Sequence, residues 1–222
     1  MFDWSRIDTV LLDMDGTLLD LHFDNHFWLE HVPLRYAEKH GLSVDAAKQV
    51  LMKRYARVEG TLDWYCVDYW SQELALDIPL LKSEVDHLIA VHPHVLDFLR
   101  RLGKAGKVRA LVTNAHQKAL HLKMRKTRLG NYLDQVISAH ELGLPKENPA
   151  FWERLRQQLN FSPQRTLFID DSLPVLRSAR EYGIAELLCM QQPDATQPVR
   201  DIHEFKSLRH FQPLLDELGS EA

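Results

Sequence analysis

Four short apolar runs, each ending in a polar or acidic side chain, constrain the fold of this chain more than any other feature. They cover residues 9–12, 108–112, 135–137 and 166–169. A fifth run, residues 185–190, is less regular. In the segments between them, apolar residues spaced by three or four, such as Phe151, Leu155 and Leu159, predict amphipathic helices. Buried strands alternating with helices predict an α/β fold with a Rossmann-like parallel sheet, whose ligands bind beyond the carboxyl ends of the strands.

The connection between the first two predicted strands is far longer than a crossover helix requires. From residue 21 to residue 91 the pattern is helical, with helices predicted over residues 25–40, 43–58, 63–76 and 79–89. Four helices can bury a small core of their own. We therefore predict an α/β core domain formed by residues 1–20 and 92–222, and an inserted four-helix cap domain formed by residues 21–91. After residue 191 we expect a polar linker and then a helix that docks on the core.

Composition narrows the class of protein. The chain has 222 residues with 27 basic and 31 acidic side chains, and its net charge of −4 disfavours a nucleic-acid-binding surface. No run approaches the roughly 18 apolar residues of a membrane helix, and the first residues lack the pattern of a secretory signal. The two cysteines, Cys66 and Cys189, are too few for a disulfide framework. We expect a cytoplasmic protein that binds neither nucleic acid nor membranes, as a monomer or weak homodimer.

Acidic residues at the strand ends predict a metal site. Asp13 and Asp15 follow the first strand, where Gly16 allows the chain to turn, and Asp170 and Asp171 follow another strand of the same sheet. Four carboxylates at one edge repel one another unless a cation holds them, and an all-oxygen set suits Mg²⁺. Because protein-bound Mg²⁺ often shares its ligand shell with a phosphate, these residues indicate phosphoryl chemistry.

Three further polar residues fit a bound phosphate. Thr113 and Asn114 offer a hydroxyl, an amide and backbone N–H groups to phosphate oxygens, and Lys146 offers a positive charge. A single Asp after a strand is most often a turn residue or a helix N-cap. The inference therefore depends on all four segments occurring in this order.

That order resembles the haloacid dehalogenase superfamily, and the chain is identified as similar to its phosphatases with a helical cap. The resemblance implies that Asp13 is the nucleophile, which forms an aspartyl-phosphate, and that Asp15 is the general acid and base. It implies that Thr113 and Lys146 bind the transferring phosphoryl group. An acid at position 15 also separates this chain from the dehalogenases of the superfamily, because halide leaves without a proton.

The resemblance extends to the metal. It implies that Asp13 and the backbone carbonyl of Asp15 contact Mg²⁺, that Asp171 is a direct ligand, and that Asp170 is a weaker or water-bridged one. The chain departs from the family pattern at Glu147, where proline often follows the motif lysine.

The predicted cap contains an unusual aromatic segment, with Trp64, Tyr65, Tyr69 and Trp70 in seven residues. These side chains either pack inside the cap or present a surface on which a base stacks. Together with residues 18–28 and 113–116, the segment resembles bacterial 5′-nucleotidases of the superfamily that act on GMP and IMP. The resemblance implies a purine nucleoside 5′-monophosphate as the substrate.

Candidate substrate-binding residues follow from this resemblance. Trp64 or Trp70 is the candidate for stacking on the base. The candidate hydrogen-bond donors are Asn25, His26 and Arg57, and the candidate acceptors are Asp63 and Asp68. Other functions on the same scaffold stay open at this point: a broader phosphatase of sugar phosphates or other small esters, a phosphomutase, and a regulatory protein without turnover.

Basic residues and histidines outside these motifs receive simpler interpretations. Lys82 in the cap and Lys123 in the basic run of residues 123–128 are each assigned to a solvated helix face. His116 is interpreted as a capping or surface residue, with a phosphate or ribose contact as the alternative. The pair His92 and His94 lacks the spacing of a helical zinc motif.

Overall fold

Six strands, all paired in parallel, form the centre of the fold. The computed structural model describes residues 2–219. The sheet has the order β3-β2-β1-β4-β5-β6. Its strands are β1 (Thr9–Leu12), β2 (Val108–Thr113), β3 (Gln135–Ser138), β4 (Thr166–Asp170), β5 (Glu186–Met190) and β6 (Lys206–Leu208). The predicted parallel sheet is confirmed. The short edge strand β6 was not predicted, because its three residues lie within a polar segment with no apolar run.

The segment between β1 and β2 is helical, and we call residues 21–91 the helical insert. It comprises α1 (His22–His26), a π-helical turn (Phe27–His31), α2 (Val32–His40), α3 (Val44–Val58), α4 (Leu62–Tyr65), α5 (Val67–Leu74), α6 (Ile78–Glu84) and a 3₁₀ turn (Asp86–Leu88). The single helix predicted over residues 63–76 is wrong. The chain turns extended at Cys66, whose Sγ then accepts the Tyr69 N–H at 3.4 Å and caps α5.

The remaining helices cover the two faces of the sheet. They are α7 (Val95–Lys104), α8 (Gln117–Thr127), α9 (Ala139–Leu142), α10 (Pro149–Leu159), α11 (Leu173–Tyr182) and α12 (Gln212–Gly219). The predicted C-terminal helix docks on the core, since the Phe211 ring that precedes α12 lies 5.0 Å from Phe98 of α7. No helix in residues 2–219 is both long enough and apolar enough to cross a membrane.

Alternate residues of the central strand face opposite apolar clusters. Val10 and Leu12 pack in a cluster that includes Phe98 and continues into the buried residues of the helical insert. Leu11 packs on the other side with residues of α10 and α11, among them Trp152. Burial on both faces is what a parallel sheet requires. Because the insert shares one apolar cluster with the sheet, its division from the core as a separate domain stays a prediction.

The strand register sets the position of the acidic residues. Leu12 lies opposite Leu111 of β2 and Ile169 of β4. In a parallel pair the next residues along each strand are again neighbours, so Asp13 and Asp170 lie side by side at the carboxyl edge. The turn that follows needs Gly16, which has φ +87°, and a Cβ there would lie 2.7 Å from Cγ of Asp171.

Candidate active site

A cavity of about 390 Å³ lies between the carboxyl ends of the strands and the helical insert. The strand ends contribute Asp13, Asp15, Thr113, Asn114, Lys146, Asp170 and Asp171, and the insert contributes residues that include Asn25, Trp64 and Tyr65. The structure therefore brings the predicted phosphate and metal residues together in a cavity whose other lining residues include several aromatic side chains.

Lys146 is the positive centre of this cluster. Its Nζ lies 2.5 Å from Oδ1 of Asp13, 2.7 Å from Oδ2 of Asp170 and 3.1 Å from the carbonyl oxygen of Val112. The side chain is buried, which by itself would lower its pKa. The carboxylates of Asp13 and Asp170 outweigh that effect and raise the pKa of Lys146 above its usual value, so the ammonium stays charged.

Asp13, Asp170 and Asp171 form a cluster with the donor set of a hard cation. One carboxylate oxygen of each lies within 4.8 Å of the others. Burial raises the pKa of Asp13 to about 7, and burial together with Asp170 and Asp13 raises the pKa of Asp171 well above its usual value. Such clustered acids carry a large free-energy cost as anions unless a cation joins them. The residues therefore fit a divalent metal with oxygen ligands.

The two acids after β4 are bonded differently. Both oxygens of Asp170 have partners, because Oδ1 accepts the Ser172 N–H at 2.7 Å while Oδ2 accepts from Lys146. The Asp171 carboxylate makes no hydrogen bond within the described part of the chain. Its oxygens are therefore the ones available to a cation.

Asp15 belongs to a second set of charges, which links the strand end to the helical insert. Lys123 of α8 lies with its Nζ 2.7 Å from Oδ1 of Asp15 and 2.5 Å from Oδ2 of Asp24. Asp24 also accepts from Lys82 at 2.9 Å. We refer to Asp15, Lys123, Asp24 and Lys82 as the buried ion-pair network. Burial raises the pKa of Asp15 to about 6 against the opposing effect of Lys123.

The interpretation of Lys82 and Lys123 as residues of solvated faces is wrong, since both side chains are buried. Lys123 lies on the same face of α8 as the buried Ala119 and Leu120, four and three residues before it. That spacing was visible in the sequence and was the available signal. Although burial alone would raise it, the two lysines hold the pKa of Asp24 at about 2, so the carboxylate that both lysines need stays ionised.

Asn114 and Glu147 connect the strand ends to the insert in another place. The Asn114 side chain accepts the Lys146 N–H at 2.9 Å and donates to Oε2 of Glu147 at 2.9 Å. The hydroxyl of Tyr65 in α4 donates to Oε1 of Glu147 at 2.6 Å. The amide that we predicted for phosphate oxygens is therefore engaged in positioning the loop that carries Lys146. Thr113 is buried, and its Oγ1 accepts the Ala115 N–H.

The insert residues predicted to bind substrate are placed unequally. Trp64 and Trp70 both line the cavity. Trp64 is partly buried, whereas Trp70 is fully buried and donates from Nε1 to the Trp64 carbonyl at 2.8 Å. Asn25 lines the cavity with its amide bonded to Asp194 at 2.7 Å. His26 is not among the lining residues, and its ring lies 6.2 Å from that of His22.

Of the four other residues predicted near the substrate, one lines the cavity. Asp68 accepts from Lys118 at 2.5 Å, and neither it nor Asp63 nor Arg57 lines the cavity. His116 caps α8, where Nδ1 accepts the Lys118 N–H at 3.3 Å, and it also lines the cavity. The capping role predicted for His116 is therefore confirmed.

Fold and site together define a class: an α/β protein with a parallel sheet in which an aspartate at the end of the central strand lies beside a second acid, a buried lysine and two carboxylates able to bind a metal. The model of the haloacid dehalogenase-like hydrolases matches residues 7–183. The chain belongs to that family, as a phosphoric monoester hydrolase. The predicted family is thereby confirmed.

Relatives agree with the family assignment, and a solved structure shares the fold. The chain is 39% identical over 215 residues to the GMP/IMP nucleotidase YrfG of Escherichia coli (strain K12), and the match covers 97% of each chain. It is 24% identical to (S)-2-haloacid dehalogenase 4A of Burkholderia cepacia, over 94% of this chain and 91% of that one. The fold is similar to that of a HAD phosphatase from Thermococcus onnurineus, with a TM-score of 0.79, 23% identity and coverage of 96% and 98%.

Proposed function

We propose that this phosphatase hydrolyses purine nucleoside 5′-monophosphates, GMP and IMP, to the nucleoside and inorganic phosphate. The observation that carries the proposal is the lining of one cavity by the acidic cluster, Lys146 and the indole of Trp64. The 39% identity to a relative named GMP/IMP nucleotidase supports the same substrate. A cavity of about 390 Å³ is in the range of small-molecule sites.

In the proposed mechanism Asp13 is the nucleophile. A carboxylate oxygen of Asp13 forms a bond to phosphorus as the bond from phosphorus to the ester oxygen breaks, and the product is an aspartyl-phosphate. Water then attacks that phosphorus and releases inorganic phosphate with Asp13 restored. The buried ammonium of Lys146 holds Asp13 and Asp170 in place and offers positive charge to the phosphoryl oxygens.

Asp15 is the proposed general acid and base. It gives its proton to the leaving ester oxygen in the first step and takes a proton from water in the second. A pKa of about 6 suits both roles near neutral pH, because both protonation states are accessible. The Lys123 ammonium, 2.7 Å from Asp15, orients this carboxyl group.

Mg²⁺ is the proposed cofactor, held by Asp13 and Asp171 and by the backbone carbonyl of Asp15, with Asp170 as a weaker or water-bridged ligand. Bound there, the cation supplies positive charge against the equatorial phosphoryl oxygens. The bonding of Asp170 to Lys146 and Ser172 supports this order of ligands, since it leaves the Asp171 oxygens available.

The base is proposed to lie against Trp64, with Asn25 close to its edge. GMP and IMP share an O6 acceptor and an N1–H donor, whereas AMP has the opposite polarity at both positions. A pocket that pairs with the first edge leaves its own polar groups unmatched against AMP, and such mismatches discriminate strongly.

A panel of phosphate esters tests the proposal. We expect kcat/KM for GMP and IMP to exceed that for AMP, CMP and glucose 6-phosphate by at least about 10-fold, measured as phosphate release with Mg²⁺. The control is Asp13→Asn, which should release no phosphate from any ester. Equal rates across the panel would contradict purine specificity and favour a broader phosphatase. Isomerisation without phosphate release would favour a phosphomutase.

A further inference from the structure

A cysteine and two histidines meet where the helical insert contacts the strand ends. Cys66 lies between α4 and α5, His116 follows β2, and His140 lies in α9 after β3. One ligand atom of each residue, the thiol sulfur or a ring nitrogen, lies within 4.8 Å of the other two. The rings of His116 and His140 are 4.9 Å apart at 85°. Three separate elements therefore present three donor atoms to one point.

The bonding of His140 indicates that a ligand belongs there. Its Nε2 is buried and has no hydrogen-bond partner among residues 2–219. In the tautomer with the proton on Nδ1, the lone pair of Nε2 is free to bind a cation, as in histidines that bind metals. A buried ring nitrogen without a partner otherwise carries a free-energy cost.

The other two donors are also held by backbone groups. Cys66 Sγ accepts the Tyr69 N–H at 3.4 Å, which orients the sulfur. His116 Nδ1 accepts the Lys118 N–H at 3.3 Å, which orients the ring. Asp68 lies 3.8 Å from Nε2 of His116 and provides a carboxylate beside the three donors.

The donor set distinguishes this cluster from the carboxylates at the strand ends. One thiolate and two imidazoles suit Zn²⁺ and similar borderline-soft cations, whereas Mg²⁺ prefers oxygen. Bond lengths of about 2.0–2.3 Å place tetrahedral donors roughly 3.5 Å apart, so small side-chain rotations bring the three atoms to that spacing. Three protein ligands leave a fourth position for water or a carboxylate.

We propose that Cys66, His116 and His140 form a second metal site, specific for Zn²⁺-class cations, that joins the helical insert to the strand ends. Cys66 belongs to the insert, and both histidines follow strands of the sheet. A bound cation therefore restrains the insert over the cavity and slows turnover while Mg²⁺ is present.

Cobalt provides a test that does not depend on turnover. Co²⁺ is titrated into chelator-treated protein in the presence of excess Mg²⁺, and the near-ultraviolet absorption is recorded. We expect a thiolate-to-cobalt charge-transfer band at one equivalent of Co²⁺, displaced by Zn²⁺. The cluster of Asp13, Asp170 and Asp171 contains no sulfur, so Co²⁺ bound there gives no such band. Absence of the band in the wild-type protein would overturn the proposal.

Matched variants assign the ligands. Cys66→Ser should abolish the band and still fold, because a serine hydroxyl also accepts the Tyr69 N–H. His140→Ala should weaken Co²⁺ binding by more than about 10-fold. His121→Ala, an exposed histidine of α8, should bind Co²⁺ as the wild type does. A band that persists in Cys66→Ser would overturn the site.

Turnover tests the restraint separately. With saturating Mg²⁺, Zn²⁺ should slow p-nitrophenyl phosphate hydrolysis several-fold in the wild type and leave Cys66→Ser at its own zinc-free rate. Equal inhibition of both proteins would show that Zn²⁺ acts at the carboxylate cluster and would overturn the restraint. Folding of each variant is checked by its melting temperature without added metal.

Discussion

Replacing Lys123 with methionine tests the buried ion-pair network most directly. Methionine keeps most of the buried aliphatic length of the side chain and removes only the ammonium. Asp24 retains Lys82 at 2.9 Å, but Asp15 loses the cation that lies 2.7 Å from its Oδ1. The variant therefore leaves one carboxylate at the strand end without its counter-charge and removes one of the two lysines that pair with Asp24.

The expected loss of stability follows from burial. Removing one member of a buried ion pair costs about 3–5 kcal/mol. The Asp15 side chain is 21% exposed and can take up a proton, which places Lys123→Met near the lower end, at about 3 kcal/mol. For a chain of this size, that loss lowers the melting temperature by roughly 6–12 °C.

Turnover should fall unequally between substrates. A misplaced Asp15 protonates the ribose oxygen poorly, and loss of general acid catalysis costs about 10²–10⁴-fold. The phenolate of p-nitrophenyl phosphate needs little protonation, so its rate should fall much less than the rate for GMP. The assay measures melting temperature and the GMP to p-nitrophenyl phosphate ratio of kcat/KM for the wild type and the variant.

The matched control is Lys126→Met on the same helix. Lys126 is exposed and pairs with Asp86 at 2.9 Å, and an exposed pair contributes about 0–1 kcal/mol. The reasoning would be refuted if Lys123→Met melted at the temperature of Lys126→Met and kept the wild-type ratio of kcat/KM between the two substrates. The buried ion-pair network would then have neither the structural nor the positioning role assigned to it.

Three further variant sets test the site. Asp13→Asn should keep the melting temperature within a few degrees and remove turnover, and retained activity with deamidation excluded by mass spectrometry would rule out Asp13 as the nucleophile. Asp171→Asn should raise the Mg²⁺ concentration needed for half-maximal rate more than Asp170→Asn, and the reverse order would mean that the direct ligand is misassigned. Trp64→Ala should raise KM for GMP and leave p-nitrophenyl phosphate hydrolysis unchanged. Trp70→Ala empties a fully buried position, so it should cost about 3–5 kcal/mol of stability and impair hydrolysis of both substrates. Wild-type GMP kinetics in both variants would limit the aromatic segment to packing.

Sequence alone was sufficient for strands β1 to β5 and for the acidic edge, because both depend on residues adjacent in the chain. Asp13, and likewise Asp170 with Asp171, comes directly after an apolar run, so these acids can be recognised at a strand end from neighbouring residues alone. Because the strands pair in parallel, their carboxyl ends meet at one edge of the sheet, independently of how the helices pack. The family resemblance added roles to these residues.

The tertiary structure alone decided which polar groups the insert brings to that edge. Lys123 pairs with Asp24, 99 residues away, and Tyr65 with Glu147, 82 residues away. The pattern of α8 shows which face is apolar, but it does not show that the insert, rather than water, covers Lys123. Periodicity also continued through Cys66, where the helix breaks and turns its sulfur towards two histidines. Contacts of this kind depend on how distant segments pack, and helical or strand periodicity carries no information about the partner.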